Sequence, residues 1–248
     1  MDIRALLFDI NSTLIDIETD ERMEEAYRAI AHFLTYQGID LRRGMVLDLY
    51  FQVMKEHFER SSETHPEFDA VEVWREILSR TGGSYTRSLP PEKLKELPLV
   101  IAEMQRGISR KRLCPYPQVR ETLDRLKPHY RMAIVSDAQT AYALPELRAV
   151  GLHEYFDPIV ISGDYGYRKP DARLFKTALD ALEVRPEEAI FIGNDRYRDV
   201  FGAKQVGMKT VLFYSGPSSG RAEGAEPDYI VYQFAELPAA IEFLRAQT

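Results

Sequence analysis

The residue with the clearest chemical potential is Asp9, which directly follows the short apolar run at positions 5–8. Asn11, Ser12 and Thr13 come next, so a predicted buried strand ends in a group of polar side chains. Open α/β sheets bind ligands in the loops at the carboxyl ends of their strands, where an aspartate can serve as nucleophile or metal ligand. A helix cap or a turn is the competing interpretation, because both also favour Asp, Asn and Ser.

The same succession of apolar strand and polar residues recurs three times. The residues beyond the predicted strands 132–135, 159–161 and 189–192 are Ser136 with Asp137, Asp164 with the nearby Lys169, and Asn194, Asp195 and Asp199. Three carboxylates at one sheet edge would repel one another, and a divalent cation would remove that cost. Hard oxygen ligands suit Mg²⁺, and a lysine can hold a phosphate oxygen or a nucleophilic carboxylate. This pattern favours a magnesium site over a set of unrelated turns.

The elements around these residues predict the fold. From position 115 onward strands alternate with helices, with further strands at 210–213 and 229–232, which is typical of an α/β doubly wound parallel sheet. Residues 16–114 instead show four amphipathic helical patterns and no convincing strand. We therefore predict a Rossmann-like catalytic core formed by residues 1–15 and 115–248, and an inserted all-helical cap formed by residues 16–114.

Composition narrows the class of protein. The 248 residues are 45% hydrophobic and 29% charged, with a net charge of −7 and no long run of Lys or Arg, so no nucleic-acid partner is predicted. No apolar stretch approaches the ~20 residues of a membrane span, and no signal peptide precedes the first strand. The single cysteine, Cys114, excludes an intrachain disulfide and fits a reducing compartment. We expect a cytoplasmic protein, monomeric or homodimeric, that acts on a small molecule.

Taken in order, the four polar segments resemble the motifs of the haloacid dehalogenase-like (HAD) hydrolase superfamily. Residues 9–13 (DINST) are similar to its first motif, Asp-x-Asp-x-Thr, and Ser136 after an apolar strand is similar to the second. Residues 169–171 (KPD) are similar to the third, and residues 193–199 (GNDRYRD) to the fourth. The resemblance covers the whole chain, because members of this superfamily often carry a helical cap after the first motif.

The resemblance implies a role for each residue. Asp9 would be the nucleophile that forms a covalent aspartyl intermediate, and Lys169 would steady it. Ser136 would bind the transferred phosphoryl group, with Asn11 as the fourth residue of the catalytic set. Mg²⁺ would be held by a set of oxygen ligands drawn from Asp9, the backbone carbonyl of Asn11, Asn194, Asp195 and Asp199. The candidate substrate-binding residues are Ser12, Thr13, Asp137 and, in the cap, Arg42 and Arg43.

One departure from the superfamily pattern leaves the reaction open. Asn11 replaces the second aspartate, which is the general acid and base of the phosphatases, and an amide cannot exchange a proton at neutral pH. The preferred hypothesis is a Mg²⁺-dependent phosphatase of a small phosphorylated metabolite. A 2-haloacid dehalogenase is the first alternative, because halide leaves without a proton and Arg42 or Arg43 could hold the substrate carboxylate. A catalytically weak member that binds a phosphorylated ligand or a partner protein is the second.

Overall fold

The computed structural model describes residues 2–39, 41, 44–216 and 225–247. The described strands, in chain order, are β1 (Ala5–Phe8), β2 (Ile15–Thr19), β3 (Arg110–Pro115), β4 (Arg131–Ser136), β5 (Ile159–Ile161), β6 (Ala189–Gly193), β7 (Lys209–Phe213) and β8 (Tyr229–Val231). Six of them form one sheet in the order β5-β4-β1-β6-β7-β8, and every neighbouring pair is parallel. The predicted parallel α/β core is confirmed.

Helices cover both faces of this sheet. The described helices are α1 (Glu24–Tyr36), α2 (Val46–Arg60), α3 (Ala70–Thr81), α4 (Ser84–Arg87), α5 (Pro91–Ser109), α6 (Val119–Leu126), α7 (Thr140–Ala149), α8 (Ala172–Leu182), α9 (Gly202–Gln205) and α10 (Leu237–Ala246). Helices α6, α7 and α10 pack on one face of the sheet, and α8 and α9 pack on the other. Strand β1 lies in the middle, so its four apolar residues are fully buried and alternate between the two cores.

Helices α1 to α5 have a hydrophobic core of their own. Trp74 lies at its centre with 0% exposure, and its indole Nε1 donates to Gln105 Oε1 at 2.8 Å. The Gln105 amide in turn donates to the hydroxyl of Tyr27 at 2.8 Å, so three helices share a buried polar chain whose groups are paired. Asp69 caps α3, accepting from the backbone N–H of Val71 at 2.7 Å. The structure adds a fifth, one-turn helix, α4, to the four that the sequence indicates.

The prediction that residues 16–114 contain no strand is wrong. Strands β2 and β3 pair antiparallel and form a two-stranded ribbon where the helical segment leaves and rejoins the core. Their sequences, IDIET and RKRLCP, have no apolar run, because much of the ribbon is exposed to solvent. Ion pairs across the two strands contribute to their pairing: Arg112 lies 2.9 Å from Asp16 and 3.3 Å from Glu18.

The helical segment also contacts the core away from this ribbon. The loop between α2 and α3 hydrogen-bonds to the segment that precedes Lys169, with Glu67 N donating to Gly166 O at 3.0 Å and Arg168 N donating to His65 O at 2.9 Å. A second contact is the buried ion pair of Arg106 Nε and Glu146 Oε1 at 2.7 Å. The helices thus lie against the carboxyl edge of the sheet. None of the helices in the described ranges is long and apolar enough to cross a membrane.

Candidate active site

Asp9 lies at the carboxyl end of the central strand, where three polar side chains converge on its carboxylate. Its backbone N–H donates to Ile192 O at 3.0 Å, which extends the sheet ladder and fixes the direction of the side chain. Ser136 Oγ and Lys169 Nζ each donate to Oδ1 at 2.8 Å. Thr13 Oγ1 donates to Oδ2 at 3.3 Å. One carboxylate oxygen therefore has two short contacts, whereas the other has a single long one.

A tight turn after Asp9 positions Thr13 and Asn11. The backbone N–H groups of Leu14 and Ile15 both donate to Ile10 O, at 2.8 and 3.0 Å. Ser12 takes a left-handed conformation with φ of 62°, which a short polar side chain tolerates better than a branched one. Asn11 Oδ1 is buried, and it accepts no hydrogen bond from the described residues. A buried amide oxygen without a partner is uncommon and leaves a ligand position open.

Lys169 joins two carboxylates in the interior. Its Nζ lies 2.8 Å from Asp9 Oδ1 and 2.6 Å from Asp199 Oδ1, and all three side chains are buried. Burial alone would lower the pKa of Lys169, but the facing charges of Asp199 and Asp9 outweigh it and raise this pKa above the usual lysine value. The ammonium group therefore stays charged beside Asp9.

The second oxygen of Asp199 is held by backbone. Asp199 Oδ2 accepts from the N–H groups of Asn194 and Asp195, each at 2.9 Å. The segment Arg196–Phe201 is a π-helical turn, in which Val200 N donates to Asp195 O at 3.1 Å. This wide turn carries Asp199 back under the end of β6, so its carboxylate reaches Lys169. Such a turn is not readable from the sequence.

The carboxylate of Asp195 caps the turn that follows it in the chain. Its Oδ1 accepts from the backbone N–H groups of Tyr197 and Arg198, each at 2.8 Å, and its Oδ2 accepts from Arg198 Nε at 3.0 Å. Burial opposes ionisation, but the contacts with Arg198 prevail and hold the pKa of Asp195 below its usual range. Asp195 is therefore a charged helix cap paired with an arginine. Among the described residues, no three His, Cys, Asp or Glu side chains are grouped so that they could hold a metal ion.

Asp137 lies between Arg198 and the backbone of Lys169. Its Oδ1 accepts from the backbone N–H of Lys169 at 2.9 Å, and its Oδ2 has no hydrogen bond within the described chain. Arg198 Nη1 lies 3.6 Å from that oxygen. Burial raises the pKa of Asp137 despite the nearby charges of Lys169 and Arg198.

The structure thus brings most of the predicted site residues together. The residues linked by hydrogen bonds around Asp9 are Thr13, Ser136, Asp137, Lys169, Asn194, Asp195 and Asp199. Ser12 and Asn11 belong to the turn beside them. Arg42 and Arg43 lie outside the described residues. The sequence analysis missed Arg198, although its position within the fourth motif was a signal, and it missed Glu67, for which no motif exists.

Glu67 reaches the core from the helical segment. Ser162 Oγ donates to its Oε2 at 3.1 Å, and the backbone N–H of Phe68 donates to its Oε1 at 3.1 Å. Burial raises the pKa of Glu67 to about 7; the negative charge of Asp137 adds to this effect, and Arg168 opposes it. A carboxyl group that titrates near neutrality therefore lies in the contact between the helices and the sheet.

We expect this contact to make stability depend on pH. The pKa of Glu67 is higher in the folded state than the ordinary 4.5, so its stabilising contribution is complete below pH 4.5 and is lost as pH rises through about 7. Glu67→Gln removes the titratable group; its amide oxygen can still accept from Phe68 N–H, and its amide nitrogen can donate to Ser162 Oγ in place of the bond that this hydroxyl now donates. Relative to the wild type it should gain about 1 to 3 kcal/mol across that interval, measured by denaturant unfolding. Glu59→Gln, on α2, is the control, and parallel pH curves for Glu67→Gln and the wild type would contradict the assignment.

Gly193 lies so close to Asp199 that a side chain cannot be added there. A Cβ at position 193 would lie 2.4 Å from the carboxyl carbon of Asp199, so Gly193→Ala must displace that carboxylate and disturb Lys169. A displacement of about 1 Å at a catalytic group can cost ~10²-fold in rate, and we expect a loss of this order in kcat. Gly107→Ala, where a Cβ meets nothing within 4 Å, is the control. Wild-type turnover in Gly193→Ala would show that the position of Asp199 is unimportant.

The residues at this edge fit a hard divalent cation. Their free donors are oxygens: within the described chain Asn11 Oδ1 accepts no hydrogen bond, and Asn194 Oδ1 lies 3.3 Å from the Thr13 hydroxyl that also contacts Asp9. Oxygen ligands of this kind, including amide and backbone oxygens, suit Mg²⁺. Asp195 and Asp199 already have short contacts, so each would have to exchange a partner or act through water.

The amino-acid sequence of this chain is similar to those of known proteins. The family described as haloacid dehalogenase-like hydrolase matches residues 6–213. A glyceraldehyde 3-phosphate phosphatase of Methanothermobacter thermautotrophicus is 27% identical over 221 residues, which cover 86% of this chain and 86% of that protein. One from Pyrococcus furiosus is 37% identical over 132 residues, which cover 53% of this chain and 55% of that protein, about half the length of each.

Solved structures share the fold. The 2-haloacid dehalogenase from Pseudomonas syringae pv. Tomato superposes with a TM-score of 0.69, over 97% of this chain and 99% of that chain. The two sequences are 20% identical, so this similarity concerns the fold alone.

Proposed function

Because the chain belongs to the haloacid dehalogenase-like hydrolase family, we propose that it hydrolyses a small phosphorylated metabolite through an aspartyl-phosphate on Asp9. The main observation that supports this proposal is that the two carboxylate oxygens of Asp9 have unequal hydrogen bonding. Oδ1 accepts from Ser136 and Lys169 at 2.8 Å, whereas Oδ2 has only the 3.3 Å contact with Thr13. Oδ2 is the better placed nucleophile, because less hydrogen bonding must be lost when it attacks.

The reaction has two steps. In the first, a carboxylate oxygen of Asp9 bonds to phosphorus as the bond to the leaving-group oxygen breaks, and that oxygen takes up a proton from water, because the Asn11 amide has none to give. In the second, water attacks the phosphorus of the aspartyl-phosphate, which releases inorganic phosphate and restores the Asp9 carboxylate. Both steps pass through a transition state rich in negative charge, so positioning and positive charge dominate catalysis.

Two side chains supply most of what the chain itself contributes. The Lys169 ammonium, buried and kept charged by Asp199, offsets the repulsion between Asp9 and an approaching phosphate. The Ser136 hydroxyl donates to Asp9 Oδ1, and by rotating it can donate to a phosphoryl oxygen of the substrate instead. When bound by oxygens of Asp9, Asn11 and Asn194, with Asp195 and Asp199 as further candidates, Mg²⁺ would supply additional positive charge for the phosphoryl oxygens.

Dehalogenation of a 2-haloacid is the second candidate function, and Asn11 is the observation that favours it. Displacement of halide by Asp9 needs no proton donor, so an amide at this position would be harmless. The open amide oxygens weigh against it, because Asn11 Oδ1 and Asn194 Oδ1 suit a site that takes a cation, which displacement of halide does not need.

The two functions differ in product and in metal dependence. We expect phosphate release from small phosphate monoesters in the presence of Mg²⁺, loss of that activity in excess chelator, and its return when Mg²⁺ is added back. Chloride release from 2-chloropropionate, unaffected by chelator, would replace the phosphatase proposal with the dehalogenase. Phosphate release that persists in chelator would support the phosphatase proposal but would show that the reaction does not require a metal ion.

A further inference from the structure

Arg198 spans the end of the central strand. Its guanidinium contacts Asp195, which follows β6, through Nε at 3.0 Å, and it approaches Asp137, which follows β4, through Nη1 at 3.6 Å. Strands β4 and β6 are the two neighbours of β1 in the sheet. The guanidinium therefore lies across the strand that carries Asp9, on the outer side of the buried Lys169.

Most of the hydrogen-bonding capacity of Arg198 is unused. Its Nε donates to Asp195, but within the described part of the chain neither Nη atom donates a hydrogen bond. The side chain is 42% exposed, in contrast to 2% for Lys169. A guanidinium anchored through Nε presents its outer N–H groups in a planar fork, which matches the two oxygens of an anionic group.

The surroundings of Arg198 place such a group outside the phosphoryl position. Lys169 reaches Asp9 directly, whereas Arg198 contacts Asp195 and Asp137 and, within the described chain, donates no hydrogen bond to Asp9. Beside Arg198, Tyr197 stacks on Phe201 at 5.5 Å, and His65 of the helical segment meets the Tyr197 ring edge-on at 6.3 Å. Arg198 and these rings therefore lie together on the turn that follows β6, with His65 of the helical segment beside them.

We propose that Arg198 determines specificity by binding a carboxylate on the leaving group, so that the preferred substrates are phosphate monoesters of small hydroxy acids. This inference rests on the proposed phosphatase function. A carboxylate is favoured over a second phosphate because Asp137 and Asp195 already flank the guanidinium, and a dianion would meet more repulsion there than a monoanion.

The test uses two substrate pairs that differ only in carboxylate against hydroxymethyl: 2-phosphoglycolate with 2-hydroxyethyl phosphate, and 3-phosphoglycerate with glycerol 3-phosphate. We expect the wild type to prefer the carboxylate member of at least one pair. Arg198→Met and Arg198→Lys should reduce that preference about 10- to 100-fold in kcat/KM, chiefly through KM, which is the usual effect of losing a charge-assisted bidentate contact. Arg196→Met is the matched control, because Arg196 pairs with Glu226 at 3.0 Å and, within the described chain, its side chain forms no ion pair with Asp137 or Asp195.

A binding measurement separates this inference from the proposed function. Isothermal titration of the Asp9→Asn protein with each substrate pair reports recognition without turnover. Tighter binding of the carboxylate member, lost in Asp9→Asn/Arg198→Met, supports the role of Arg198 even when no phosphate is released. Equal binding of both members of both pairs, or a parallel loss for both members in the Arg198 variants, overturns it while leaving a phosphatase intact. If Arg198→Met does not fold, Arg198→Lys, which keeps the charge but not the planar fork, provides the comparison.

Discussion

Asp9→Asn is expected to reduce turnover by about 10⁴- to 10⁶-fold, the range for loss of a covalent nucleophile. A neutral amide is a poor nucleophile and a poor metal ligand. The fold should survive, because Lys169 keeps its 2.6 Å contact with Asp199 and Ser136 can donate to the amide oxygen. The measurements are kcat on a phosphate monoester, thermal unfolding, and mass spectrometry of rapidly quenched protein. The wild type, but not Asp9→Asn, should show a phosphorylated peptide containing residue 9.

The control for this change is Asp16→Asn, an identical substitution in the exposed ribbon, where Asp16 pairs with Arg112. It should leave kcat within about twofold of the wild type, because exposed ion pairs contribute little. Turnover by Asp9→Asn at the wild-type rate, once contaminating phosphatase is excluded, would remove the covalent mechanism. A phosphorylated peptide from another part of the chain would show that a residue other than Asp9 is the nucleophile.

Asn11→Asp should raise the hydrolysis of alkyl phosphates by about 10- to 10³-fold, because general acid-base assistance is typically worth ~10²–10⁴ and a basic alkoxide needs a proton to leave. The change is nearly isosteric, and the buried Oδ1 has no hydrogen bond to lose within the described chain. Aryl phosphates should gain less, since nitrophenolate leaves without a proton. The added negative charge beside Asp9 acts in the opposite direction, and Lys169 and a bound cation offset it.

The comparison is kcat for an alkyl and an aryl phosphate in the wild type, Asn11→Asp and Asn11→Ala. The alanine variant removes the amide without supplying an acid, so it should not raise the alkyl rate. An alkyl rate that stays level or falls in Asn11→Asp, while Mg²⁺ still binds, would mean that Asn11 is not the site of a missing acid. Another group would then donate the proton, or the natural leaving group would need none.

Local patterns were enough to predict the scaffold of the site. Asp9, Ser136 and Lys169 each follow an apolar strand or precede a helix, and parallel strands present their carboxyl ends at one edge. The 2.8 Å contact between Ser136 and Asp9 follows from topology, because β4 is the direct neighbour of β1. The ribbon β2–β3 was missed for the opposite reason: its strands are partly exposed and held by charges, so they lack the apolar run by which a buried strand is recognised.

The sequence by itself determined which residue types reach the carboxyl edge of the sheet, because each of these buried strands is a continuous apolar run and the polar residues follow directly at its end. Only the tertiary structure decided which of them meet. Asp195 faces Arg198 while Asp199 faces Lys169, since a π-helical turn winds through a smaller angle per residue than an α-helix and so presents Asp199 in a different direction. Glu67 enters the contact through a loop whose position depends on how helices α1 to α5 pack against the core. Hydrogen-bond partners are chosen by differences of an ångström or less in backbone placement, and composition and spacing carry no information on that scale.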